Sequence, residues 1–232
     1  MSAYLTNVLL MHIVIKIAVL ILAYLIGSIP TSVWIGRGFF DIDIREHGSG
    51  NAGSTNAVRI LGWKVGLIVL VIDMVKGWLA VNLIHLTQFY IPETGKFITF
   101  QLMLGVAAIL GHIFPIYVGF RGGKGVATLF GLVLAINPEP TLICTGIFVI
   151  TLVLSKYVSL SSMIAGFTFP ILVIFVFKET TMSLVIFSLI ISILLLFTHQ
   201  KNIERLLRHE EKKATFLLGK RAKEKERLRM SA

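Results

Sequence analysis

The sequence REHGSGNAGSTNAVR, residues 45–59, stands between two apolar runs that are each long enough to cross a bilayer. Gly48, Gly50 and Gly53 alternate in it with Ser49, Asn51, Ser54, Thr55 and Asn56, and Arg45 and Arg59 close its ends. Glycine takes positive φ without a side-chain clash, so backbone N–H groups are able to turn inward along such a segment. Successive inward N–H groups form a concave anion site, and flanking guanidiniums add bidentate charge. Flexible linkers favour Gly and Ser, but two asparagines bracketed by arginines are less expected of one. The segment reads as a phosphate holder.

Outward from it, almost everything is apolar. The chain is 56% hydrophobic and 15% charged, where a soluble domain carries about 25% charged residues. Runs of spanning length or near it cover 9–34, 60–86, 97–118, 126–154, 163–177 and 182–198. Asn137-Pro138-Glu139-Pro140 divides the fourth run in two, since proline removes a donor and disfavours helix before it. The fold class is therefore all-α: a polytopic membrane protein of about seven transmembrane helices, with short re-entrant or interfacial glycine-rich loops on the cytoplasmic side. The first run does not read as a signal peptide, because it is too long, Lys16 interrupts it and no A-x-A site follows.

Charge orients the spans. With seven, the segments 36–59, 119–125, 155–162 and 199–232 share one face. That face carries Arg37, Arg45, Arg59, Arg121, Lys124, Lys156 and the eleven basic residues of 199–232. Only Lys96 and Lys178 fall opposite, so the basic face is cytoplasmic and the N-terminus lies outside. Six spans would scatter the glycine-rich segments over both faces. The net charge of +10 thus belongs to a membrane surface, and no nucleic-acid partner is expected. The basic tail beyond Lys212 reads as lying along anionic headgroups. Cys144, the single cysteine, permits no intrachain disulfide.

A second glycine-rich element, GFRGGKG at 119–125, fails the nucleotide P-loop pattern, which needs Gly at Val118 and Ser or Thr at Gly125. It reads as another anion-binding turn, with Gly122 and Gly123 beside the point charge of Lys124. Asp73 and Lys76 lie three apart inside an apolar run, where ionised groups pair or line a polar cavity. They read as a pair bracing the inner site. His112 reads as a helix-packing residue at a span's inner end. His199, Asn202 and Arg205 fall on one helical face. Ser159, Ser161 and Ser162 have no histidine–carboxylate pair beside them in sequence, so bonding to a ligand phosphate suits them better than nucleophilic attack. The six histidines are scattered, and no metal is expected.

Taken in order, these motifs resemble one family, the bacterial acyl-phosphate:glycerol-3-phosphate acyltransferases (the PlsY family). The resemblance rests on GSIPTSVWIG at 27–36, DIREHGSGNAGSTNAVRILG at 43–62, Asp73-x-x-Lys76-Gly77, GHIFPIYVGFRGGKGVAT at 111–128 and YVSLSS at 157–162. It closes with His199, Asn202, Ile203, Arg205, Leu206 and Glu211. Two departures stand out: His209-Glu210 replaces the usual small pair before the last glutamate, and the tail is longer and more basic.

The resemblance implies transfer of a fatty acyl group from acyl phosphate to the 1-hydroxyl of sn-glycerol 3-phosphate, giving lysophosphatidic acid and phosphate. It implies Lys124, Ser49, His199 and Asn202 as catalytic. Arg45, Gly48, Gly50, Asn51, Asn56, Gly122, Gly123, Ser159, Ser162 and Glu211 would bind substrate. No cofactor is expected, and a monomer in the bacterial inner membrane suffices. Residues 1–198 would form the membrane domain and 199–232 a cytoplasmic segment whose start joins the site. The competing class is a transporter or channel for a phosphorylated small molecule. It accounts less well for polar motifs gathered on one face without an internal repeat.

Overall fold

The computed structural model describes residues 2–214, and ten α-helices make up most of them. They are α1 (Ser2–Gly27), α2 (Thr31–Phe40), α3 (Ser54–Leu61), α4 (Trp63–Asn82), α5 (Gly95–Ile113), α6 (Val126–Ile136), α7 (Pro138–Ser155), α8 (Val158–Ile171), α9 (Met182–Thr198) and α10 (Gln200–Leu207). The breaks follow local chemistry. Pro30 stops α1 from running into α2, and Gly62 at φ 94° separates α3 from α4. Pro138 opens α7, where its missing N–H costs nothing. Pro170 lies inside α8, and a single π-helical turn, Leu172–Val176, follows it.

Five segments are long and apolar enough to cross a membrane: Thr6–Gly27, Trp63–Leu86, Gly95–Val118, Pro138–Ser155 and Val158–Val176. Helices α9 and α10, bent by 60° at His199, bring the count to six if read as one span. Five or six spans thus meet the length and composition of a crossing, and α6 is the helix on which the expected seventh depends. The run at 126–154 does divide at Asn137, but its first half, α6, has 11 residues and rises only about 16 Å against a hydrocarbon core of about 30 Å.

The chain divides into two compact units: residues up to Pro138 with Thr180–Phe187, and Glu139–Glu179 with the residues from Ser188 on. In the first unit, helices meet through glycines that let backbones approach. Gly27 of α1 abuts the backbone of Ala108 on α5. Gly77 of α4 abuts the Thr128 carbonyl, and Gly131 of α6 abuts the carbonyl of Met74. Val19, Ala23, Ala80, Ile84, Leu104 and Ala108 fill the core around those crossings. A second cluster of Val33, Ile44, Ala52, Ala57 and Val69 underlies the segment 43–59. In the second unit, Gly166 of α8 faces Leu195 of α9, and Ser192 Oγ donates to the Gly166 carbonyl at 2.7 Å. After α10 the chain returns to the link between α7 and α8, where the Ala214 N–H donates to the Lys156 carbonyl at 2.7 Å. The basic tail beyond Ala214, expected along headgroups, lies outside the described residues.

A methyl group on Gly131 would overlap the Met74 carbonyl oxygen, which is backbone and has little room to yield. Gly131→Ala is expected to cost about 1–3 kcal/mol and to lower the thermal midpoint in detergent by several degrees. Gly146, which has open space where a Cβ would stand, is the control: Gly146→Ala should leave the midpoint near wild type.

Candidate active site

In the first unit, the polar segment is braced from within. Asp43 accepts from the backbone N–H of Arg45 at 2.9 Å and from its guanidinium at 2.8 and 3.0 Å, and Arg37 adds a third partner at 2.8 Å. The Arg45 hydrogen bonds hold the Asp43 carboxyl well below its usual range, and Asp43 in turn raises Arg45. The same guanidinium donates to the carbonyls of Val118 and Arg121 at 2.7 and 3.3 Å. Arg45 therefore ties segment 43–46 to the second glycine turn, and most of its donors are already used.

Asn56 is buried in the first turn of α3 and uses its whole amide internally. Its Oδ1 accepts the Ser49 N–H at 2.9 Å, while Nδ2 donates to the carbonyls of Ile44 and His47, both at 3.0 Å. The expected substrate contact of Asn56 is thus replaced by a bracing role. Gly48 and Gly50 stand at φ 66° and 70°, and a Cβ on Gly48 would overlap Asn56 Oδ1. With the turn fixed this way, the N–H groups of Gly53, Ser54 and Thr55 at the start of α3 have no acceptor among the described residues. Such orphan donors and the helix dipole favour an anion.

The turn 119–125 is built differently. Gly119, Phe120 and Gly125 take positive φ, whereas Gly122 and Gly123 do not. The N–H groups of Gly122 and Gly123 donate to the carbonyls of Ile113 and His112 at 3.1 and 3.0 Å. They do not point inward to an anion as the sequence led one to expect, because they fold the turn back onto the end of α5. A Cβ on Gly123 would overlap His112 Nε2. Lys124 follows directly. Asp73 and Lys76 pair at 2.9 Å, as their spacing on α4 implied. Thr31 Oγ1 donates to Asp73 at 3.0 Å, Lys76 donates to the Ile29 carbonyl at 3.0 Å, and His112 Nδ1 lies 3.2 Å from Thr128 Oγ1.

In the second unit, Glu211 is the hub. Its Oε1 accepts from Ser159 Oγ and from Asn202 Nδ2, each at 2.6 Å, and its Oε2 accepts from Arg205 Nε at 2.8 Å. Burial alone would raise this carboxyl, but the three hydrogen bonds and the Arg205 charge outweigh burial and hold it below its usual value. The carboxylate is filled by protein donors, so Glu211 organises Ser159 and Asn202. Ser162 Oγ donates to the Val158 carbonyl at 2.9 Å, which leaves its oxygen to accept. His199 is 3% exposed at the bend between α9 and α10, and its Nδ1 lies 2.8 Å from the Leu195 carbonyl. A carbonyl only accepts, so Nδ1 carries a proton.

Sequence reasoning passed over two residues of consequence. Asp43 was legible in its i, i+2 spacing from Arg45, which matches a short turn closed by a carboxylate. Thr128 entered only as the last residue of the motif at 111–128, since a lone threonine in an apolar helix is ordinary and points to no partner.

A family model described as glycerol-3-phosphate acyltransferase matches residues 17–209. Among curated relatives, a glycerol-3-phosphate acyltransferase of Chlorobium phaeobacteroides (strain BS1) is 38% identical over 230 residues, covering 86% of this chain and 97% of its own. That of Chlorobium luteolum is 40% identical over 228 residues, with the same coverage. A crystal structure of PlsY (YgiH), an integral membrane glycerol 3-phosphate acyltransferase, in its glycerol 3-phosphate form matches with a TM-score of 0.75 at 32% identity. The match covers 85% of this chain and 94% of that one. The lysophosphatidic acid form matches with a TM-score of 0.73 at 31% identity.

Two outcomes follow from the bracing. Asn56→Ala strands the Ser49 N–H and two carbonyls, so a loss of about 1–3 kcal/mol and faster proteolysis within 45–55 are expected. Glu211 has a folded pKa below that of a free glutamate, so its contribution is complete above about pH 4.5 and is lost as pH falls through the lower folded value. Hydrogen exchange of 199–211 should accelerate over that acid range in wild type, and Glu211→Gln should remove the acid step.

Proposed function

Because the chain belongs to the glycerol-3-phosphate acyltransferase family, we propose that it transfers a fatty acyl group from acyl phosphate to the 1-hydroxyl of sn-glycerol 3-phosphate. It is a membrane acyltransferase of phospholipid biosynthesis, and its products are lysophosphatidic acid and phosphate. The observation that carries the mechanism is the Asn56-locked turn with orphan N–H groups at the start of α3, on the unit that also bears Lys124.

In this reading, the Ser49 hydroxyl, the turn through Gly48, Gly50 and Asn51 with the N–H groups at the start of α3, and Lys124 receive the acyl phosphate. Gly122 and Gly123 shape the turn that presents Lys124, and Arg45 fastens that turn to segment 43–46. Ser159 and Asn202, arranged by Glu211, receive the glycerol phosphate together with Ser162, and His199 orients its hydroxyl. The hydroxyl oxygen attacks the acyl carbon, the bond to phosphate breaks, and the departing phosphate takes the hydroxyl proton. Acyl phosphate already carries a good leaving group, so positioning and charge stabilisation supply most of the acceleration. No acyl-enzyme is required, in keeping with the burial of Cys144.

We further read α6 as a short seventh crossing in a bacterial inner membrane. The N-terminus is then outside, and both glycine-rich segments and the cytoplasmic segment 199–232 lie inside. The Lys/Arg excess on those segments supports this orientation. The protein acts as a monomer.

The test is lysophosphatidate formation by purified protein in detergent, from palmitoyl phosphate and glycerol 3-phosphate, with palmitoyl-CoA as the comparison donor. Product from acyl phosphate alone is expected. Product only from the thioester would overturn the donor assignment. Lys124→Ala is expected to abolish turnover while its thermal midpoint stays near wild type, and normal turnover in that variant would remove Lys124 from the site.

A further inference from the structure

Resting on the acyltransferase reading, we propose that Asp73, Lys76 and His112 form a positioning device for the glycine turn that carries Lys124, with the imidazole as the part that touches the turn. Nothing in the transfer chemistry uses these three residues, yet they are 2%, 4% and 6% exposed within membrane-spanning helices. Buried ion pairs contribute little net stability compared with apolar residues of the same volume. Their value lies in fixing where things are, and here the connections are specific.

Asp73 Oδ1 takes both the Lys76 ammonium and the Thr31 hydroxyl, while Lys76 also holds the Ile29 carbonyl. One pair thus pins α4 to the break between α1 and α2. His112 lies beside the pair, with Nδ1 3.9 Å from Asp73 Oδ1 and 3.2 Å from Thr128 Oγ1 at the start of α6. Residue 112 then holds the turn twice. Its carbonyl accepts the Gly123 N–H, and its ring fills the space where a Gly123 side chain would stand. The cavity between the pair and the turn, lined by Thr31, Asp73, Lys76, His112, Gly122 and Gly123 among others, is about 10 Å³. That is room for about one water. The imidazole ring is therefore the direct link from the pair to the turn.

A shift of the ring moves Gly123 and with it the neighbouring Lys124, without removing any group assigned to substrate. Steady-state kinetics of the purified full chain with palmitoyl phosphate and glycerol 3-phosphate provide the test, each variant paired with its thermal midpoint. His112→Ala should lower kcat about tenfold or more while remaining folded, and should raise KM for palmitoyl phosphate more than KM for glycerol 3-phosphate. Thr128→Val, which removes only the hydroxyl at Nδ1, should show the same pattern more weakly. Gly123→Ala should also be impaired, and His112→Ala combined with Gly123→Ala should be less impaired than the product of the single effects, because the added methyl occupies space the ring has left.

Wild-type kcat and KM in His112→Ala, or strictly multiplicative effects in the pair, would overturn the proposal. If His112→Ala does not fold, Thr128→Val decides by the same criteria. Loss of folded protein in every variant would assign the network to stability and overturn it equally. Turnover by wild type with unaffected variants removes the positioning device alone, whereas no turnover by wild type removes the acyltransferase reading and this inference with it.

Discussion

Every main-chain N–H and C=O carried near the hydrocarbon layer must find its partner inside the protein, and this constraint governs the molecule. Helices meet it automatically. The segments 43–53 and 119–125 do not, so each needs braces from elsewhere. Arg45 ties the first to the second through the carbonyls of Val118 and Arg121, and Asn56 closes the first on itself. The second is paired back onto α5 through His112 and Ile113. Side chains that sequence logic assigns to a ligand are thus largely occupied in making the ligand site possible. The donors left over at the start of α3 are what remains for an anion.

The two glycine-rich segments look alike in sequence but solve different problems. Gly48 and Gly50 are glycine for their positive φ. Gly122 and Gly123 have ordinary backbone angles and are glycine because a helix end and an imidazole come too close for any side chain. The same proximity logic applies at Gly27, Gly77 and Gly131, where helices touch backbone to backbone.

Much of this was legible beforehand. Most apolar runs gave their helices to within a few residues, but the run at 9–34 overran the break at Pro30 into α2, and α3 had no apolar run to announce it. Asp73 and Lys76 were readable as a pair because i, i+3 spacing on a helix in lipid leaves little else for them to do. The motifs in order identified the family. What stayed hidden depends on distances across the fold. No local pattern says that Arg45 donates to residues 73 and 76 positions away, or that Glu211 is consumed by Ser159, Asn202 and Arg205. The count of seven turns on α6, since a proline fixes where a run divides but not whether each half is long enough to cross.

The position of Glu211 also bears on how the protein is made. The internal bracing of segment 43–59 closes over short loops, between Asp43 and Arg45 and between Ile44 and Asn56, soon after those residues are synthesised, and only its tie to Val118 and Arg121 waits for residues 73 and 76 positions on. The second unit's cluster closes over 52 residues, from Ser159 to Glu211, and its carboxylate comes from the far side of α10. Domains assemble from the N-terminal side as the chain emerges, and long closures wait for their distal partner. Ser159 and Asn202 therefore reach their final arrangement late in biogenesis. A nascent chain halted before residue 211 would have its helices but lack the carboxylate that completes that cluster.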